Sequence, residues 1–135
     1  MSMTTYQVGF YGVTDVMNNV NVEMLENFLE RHNVKEVFLE DLNADGSLAE
    51  VYEELCDERE IYDEIAVILS DIHGVRIEYL CPDEFSVDGM GFVETYPWYL
   101  NEKEKYLTER DIQGILYDFV GSKLIADTQM VEYYE

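Results

Sequence analysis

Eight carboxylates stand within fifteen residues of one stretch, SLAEVYEELCDEREIYDE, which begins at Ser47. They are Glu50, Glu53, Glu54, Asp57, Glu58, Glu60, Asp63 and Glu64, and Arg59 is the one cation among them. Glu50, Glu53, Glu54, Asp57, Glu60 and Glu64 recur at helical gaps of three and four, so on a helix they line one side. Like charges so placed cost about 0.2–0.5 kcal/mol per pair, and stability alone does not explain the row. Neighbours four apart on a helix stand about 6 Å from one another, close to the roughly 6–7 Å between successive phosphates along a nucleic-acid strand. The chemistry on offer is ionic: carboxylates presenting the charge pattern of a nucleic-acid backbone to a basic surface. The plainer alternative is a solvated helix face.

A second set lies just upstream. Asp41, Asn43 and Asp45 place three oxygen side chains at alternating positions, and Gly46 follows. Such oxygens can converge on one hard cation, with the glycine allowing the sharp turn. The run DLNADGS resembles the first half of a calcium loop of the EF-hand and dockerin kind, D-x-N-x-D-G. The resemblance covers about a dozen residues and implies calcium held by Asp41, Asn43, Asp45 and the Ser47 backbone. It departs from the pattern at the twelfth position, where Tyr52 replaces the acidic ligand, and in the preceding element, which reads as a strand. The alternative is a strand-to-helix turn built from good turn residues, with Ser47 as the cap.

Signals for catalysis are poor. Gly9 and Gly12 are followed by no G-K-[ST] phosphate loop. His32 and His73 are the two histidines, and each falls at an expected helix end, where the dipole favours it. Cys56 and Cys81 form no CxxC pair and read as small apolar core residues of a reducing compartment. The chain is expected not to be an enzyme and to need no cofactor, calcium apart.

The elements that must position these residues follow from periodicity. Leu48, Val51, Leu55, Tyr62, Ile65, Leu69 and Ile72 form the apolar stripe of one central helix from Ser47 to His73, missing a beat at Glu58 and Arg59. Ser47 and Glu50 have capping-box spacing, and Gly74 is its stop. Asn21 caps a helix to about His32, with Val22, Leu25, Phe28 and Leu29 inward and Asn33 as the stop. Thr108 and Asp111 start a last helix to Val120 or Leu124, with Ile112, Ile115, Leu116, Phe119 and Val120 inward. Strands are expected at Tyr6–Val13, Val34–Glu40 and Val75–Leu80, the last broken by Cys81-Pro82. A hairpin of Phe85–Val87 and Met90–Tyr96 is expected around Asp88-Gly89. Tyr96-Pro97-Trp98-Tyr99 reads as an aromatic turn, and Met130–Glu135 as a short strand. The expected fold is α+β: a single domain spanning 1–135, with a mixed or antiparallel sheet of about four to five strands and about three helices.

Composition sets the function class. Thirty Asp and Glu face eight Lys and Arg, a net charge of −22 over 135 residues, in a chain 47% apolar that can build a core. That charge repels nucleic acid and anionic membranes and favours a basic partner or a metal. Four alanines argue against salt adaptation, and eleven tyrosines suit an interface. No apolar run approaches the roughly 18 residues of a membrane span and no signal peptide is visible, so a cytoplasmic protein is expected. In size, acidity, tyrosine content and lack of catalytic motifs the chain resembles the acidic DNA-mimic anti-defence proteins of phages and mobile elements, the anti-CRISPR and anti-restriction type. The resemblance is one of composition and carries over no individual residue. It implies a protein inhibitor that fills the basic DNA-binding groove of a CRISPR effector or restriction nuclease in the host cytoplasm. The expected contact residues are Glu50, Glu53, Glu54, Asp57, Glu60, Asp63 and Glu64, with Tyr96, Trp98 and Tyr99 as aromatic anchors. The alternatives are a small calcium-binding module on Asp41–Asp45, an acidic antidote or partner subunit of a basic protein, and, for assembly, a homodimer.

Overall fold

The computed structural model describes residues 5–94 and 97–134. The chain opens with strand β1 (Thr5–Thr14) and then runs through five helices. These are α1 (Val16–Asn19), α2 (Val22–Arg31), α3 (Lys35–Asp41), α4 (Leu48–Leu55) and α5 (Arg59–His73). Strands β2 (Glu78–Leu80) and β3 (Gly89–Val93) follow, then two 3-10 turns at Pro97–Tyr99 and Glu104–Tyr106. Helix α6 (Glu109–Val120) and strand β4 (Asp127–Tyr134) complete the order. The four strands make one antiparallel sheet in the order β2-β3-β1-β4. The α+β class is as expected, and the sheet is antiparallel throughout. Six α-helices among the described residues replace the expected three.

Three readings of the sequence are corrected. Where a strand was expected over Val34–Glu40, the chain forms helix α3 with Val34 as its N-cap. Its one fully buried side chain is Phe38, with Val34, Leu39 and Leu42 partly buried against the core and Val37 exposed. The spacing 34, 38, 42 is helical, and it outweighs the β-branched content. Second, the segment from Ser47 to His73 is two helices. The chain breaks at Cys56–Glu58, beside the missed beat in the apolar stripe. The Glu58 N–H returns to the Leu55 carbonyl at 2.9 Å, and the Tyr62 hydroxyl donates to the Cys56 carbonyl at 2.7 Å. A buried tyrosine thus satisfies a carbonyl that a continuous helix would have used itself. Third, Asp88-Gly89 turns no hairpin. The Asp88 carboxylate accepts the Met17 N–H at 2.9 Å and the Tyr79 hydroxyl at 2.7 Å, and β3 pairs with β1 and β2 instead.

Helices α2 and α3 end alike. Asn33 and Asn43 take left-handed conformations with φ of 55° and 52°. After α2, Asn33 N–H bonds Glu30 and Val34 N–H bonds Leu29; after α3, Asn43 N–H bonds Glu40 and Ala44 N–H bonds Leu39. Both are Schellman endings, in which asparagine takes the place of the usual glycine. The caps read from Asn21 and from Thr108 with Asp111 are present, as is the Gly74 stop.

The helices pack on one face of the sheet. Their core includes Leu25, Phe28, Leu29, Phe38, Ile61, Tyr62, Ile65, Leu69, Ile112 and Leu116, against Val13, Tyr79, Met90 and Phe92. Ile72, expected inward, is 40% exposed. Cys81 is buried and Cys56 lies half-buried in the α4–α5 turn; both are free. The other sheet face holds a smaller cluster of Phe10, Leu80 and Val131 with Val8, Phe85, Val87 and Val93. Residues 84–86, which follow β2, reach the far edge of β4: Ser86 N–H donates to Glu132, and Tyr134 N–H to Glu84. The chain between β2 and β3 therefore ties the two edges of the sheet together over this second cluster. Gly12 lies opposite Gly91, where a Cβ on Gly12 would come within 2.8 Å of the Gly91 Cα.

Candidate partner-binding surface

The break at Cys56–Glu58 turns one expected row of carboxylates into two short ones that meet at a corner. Glu50, Glu53, Glu54 and Asp57 are exposed along α4 and its end. Glu58 and Glu60 are exposed at the start of α5, where Asp63 and Glu64 are half-buried. The Ser47 hydroxyl accepts the Glu50 N–H at 3.3 Å, as the cap predicts, and it also lies 3.2 Å from the Glu50 carboxylate.

At the corner, Asp41, Asn43, Glu58, Glu60, Asp63 and Glu64 line an open cleft of about 480 Å³ with Leu42 and Leu55 at its base. Burial and the neighbouring Asp41, by charge and by hydrogen bond, push the Glu64 carboxyl above its usual range. Arg59, the local cation, is turned to one side. It donates to Asp63 at 3.2 Å and to Glu84 at 2.9 Å, and these two bonds raise its pKa further. One of its two partners thus lies outside the row, on the chain after β2.

The possible calcium ligands do not gather in the same way. Asp41 belongs to the last turn of α3, and Asn43 is the left-handed stop of that helix. Asp45 is exposed in the turn before α4. Among the described residues, no group of three or more His, Cys, Asp or Glu side chains is placed to hold a metal ion. The element before the loop is nonetheless a helix, where a strand was expected.

Tyr96 lies outside the described residues. Trp98 and Tyr99 stand in a 3-10 turn, with ring centroids 6.0 Å apart. Their loop is fastened to the far end of α5: Asn101 donates to the Gly74 carbonyl, and Lys103 to that of His73. The acidic corner is at the start of α5. Fifteen residues of helix, about 22 Å at 1.5 Å per residue, separate the two. The aromatic pair and the acidic cleft are therefore two surfaces, not one.

A third constellation gave no sign in the sequence. His32 and His73 both present Nε2 to the Asp118 carboxylate, at 2.8 and 3.0 Å on its two oxygens. Arg31 adds bonds to one of those oxygens, at 3.1 Å, and to the Asp118 carbonyl. Burial works to raise the Asp118 pKa, and the bonds from His32, His73 and Arg31 more than offset it, so the carboxyl is held below its usual range. The histidines do lie at the ends of α2 and α5, as expected. Their common partner is far away in sequence on α6, and no local pattern announces it.

Fold and surface together define a small acidic α+β protein with a carboxylate-lined corner between two helices. No family model, curated protein or solved structure matches the chain. No helix among the described residues is long and apolar enough to cross a membrane.

Proposed function

We propose that the chain is a protein inhibitor of a nucleic-acid-binding enzyme, of the anti-CRISPR or anti-restriction type, and that it works by nucleic-acid mimicry in a host cytoplasm. It has no catalytic role of its own in this reading. The observation that carries the reading is the acidic corner. Five carboxylates converge on one open cleft, with a row of four more along α4, and the local cation, Arg59, is shared between Asp63 at the cleft and Glu84 outside it. Such a surface offers lysines and arginines of a basic groove the charge they normally take from phosphates. The short α4 and α5 rows suit a bent backbone path better than a straight one.

The test is competition at two salt concentrations. The protein is titrated into CRISPR effector and restriction nucleases while DNA binding and cleavage are read. Loss of DNA binding that weakens steeply with salt is the expected result. Loss of cleavage with DNA still bound would replace mimicry by a block on a conformational step. No effect on any nuclease would overturn the reading and favour an acidic antidote or partner subunit.

A second reading, a calcium-steadied module, rests on Asp41, Asn43 and Asp45 lying at a junction between two helices, the setting of helix–loop–helix calcium sites. A Tm that rises with calcium and is insensitive to magnesium would favour it over mimicry.

A further inference from the structure

The segment 97–110 is built as a contact surface in its own right. It is fastened from below: Leu100 and Leu107 pack against the helical core, and Glu104, 7% exposed, is the buried charge. The Glu104 carboxylate accepts the N–H groups of Arg76 at 2.8 Å and Asn101 at 3.0 Å. Asn101 accepts the Glu104 N–H in return, at 2.8 Å. On this fixed base Trp98, Tyr99 and Tyr106 are 72%, 64% and 77% exposed, the three most exposed aromatic side chains among the described residues. Rigid aromatic side chains on a held backbone are what a protein interface uses as anchors.

The charge of the segment sets it apart. Glu102, Glu104 and Glu109 are matched by Lys103, Lys105 and Arg110, so the entire −22 lies on the rest of the chain. With Glu104 buried, the exposed charges lean positive. We propose that this segment is where two copies of the chain meet as a symmetric dimer. Two molecules of charge −22 repel across most of their surfaces, and repulsion is least where each is neutral. A basic partner is drawn to the opposite end of α5 instead. In the dimer the aromatic side chains form the dry centre. Lys103, Lys105 and Arg110 of each copy face Glu102 and Glu109 of the other at the rim. Both acidic corners stay free, so the pairing stands whether or not they bind a nuclease.

Sedimentation equilibrium of the full chain alone, at about 0.05 M and about 0.5 M salt, tests this. The expected mass is twice 15.8 kDa. Association should tighten as salt rises, because screening removes repulsion between the copies. Target binding by mimicry runs the other way, weakening with salt, so the two ideas fail separately. Trp98 is the single tryptophan, and its emission should move to shorter wavelength as protein concentration rises. Replacing Trp98→Ala with Tyr106→Ala should weaken association at least about tenfold with the circular dichroism unchanged. If that pair fails to fold, Lys105→Glu with Arg110→Glu should weaken it by adding like charge at the rim. A 15.8 kDa monomer at about 0.1 mM in both salts would overturn the proposal, as would a dimer whose Trp98 emission stays put.

Discussion

Asp118 stands where the last turns of α2 and α5 meet α6, and its carboxylate accepts from His32, His73 and Arg31. Replacing Asp118→Asn removes the charge that all three donors use and should cost about 1–3 kcal/mol at neutral pH, read by urea unfolding. The sign with pH follows from the lowered carboxyl. A group that binds its proton less readily when folded stabilises the fold above its unfolded pKa, and that part is lost as pH falls through the folded value. The gap between wild type and Asp118→Asn should therefore close in acid. Glu64 has the opposite sign. Its carboxyl is raised, so the fold loses stability as pH rises through its folded value. Asp41→Asn should relieve the pair and raise stability by about 0.5 kcal/mol at neutral pH, and the gain should vanish once Glu64 is protonated. A thermal melt at each pH distinguishes the two cases.

Among the elements, the α4–α5 corner rests on Tyr62. Tyr62→Phe keeps the ring in place against Tyr79, 5.1 Å away, but leaves the Cys56 carbonyl without its donor. The expected cost is about 1 kcal/mol, with the acidic corner loosened, visible as faster amide exchange at Glu58 and Arg59. Gly91→Ala forces a methyl against the Gly12 backbone at the centre of the sheet, and about 1–3 kcal/mol is expected from the overpacking. Caps were the legible part of these elements, because Asn21, Thr108, Asp111 and Gly74 act within one turn of themselves. The expected inner face of α6 is buried at all five positions for the same reason: its periodicity is local. What could not be read was decided from a distance. Val34–Glu40 has strand-like residues, but the core receives it at helical spacing, with Phe38 fully buried and Val34 and Leu39 packed beside it. Asp88-Gly89 has hairpin residues, but Met17 and Tyr79 claim the aspartate. The acidic residues were visible in sequence; the corner that gathers them was hinted at by a missed beat in the apolar stripe. The His32–Asp118–His73 cluster had no such hint.

For the whole molecule, net charge is the main lever. Reversing Glu53, Asp57, Glu60 and Glu64 to Lys should abolish inhibition of the target nuclease, since these residues lie along α4, at its end and at the cleft. The same variant should hold or raise Tm at low salt, because it relieves self-repulsion. Inhibition that survives the four reversals would move the contact away from α4 and α5. Beyond charge, the sheet imposes an order in time. Strand β1 sits between β3 and β4, and its partner along Thr5–Gly12 is the last strand, Asp127–Tyr134. A ribosome releases the acidic helices long before it releases β4. Until then one side of β1 has no neighbour, and Phe10 lacks Val131. The newly made chain must therefore wait with a bare strand edge and an uncovered aromatic ring, and the sheet closes only once β4 is made. A pulse-labelling experiment on stalled nascent chains should find the β1 amides that face β4 unprotected at every length that ends before Asp127.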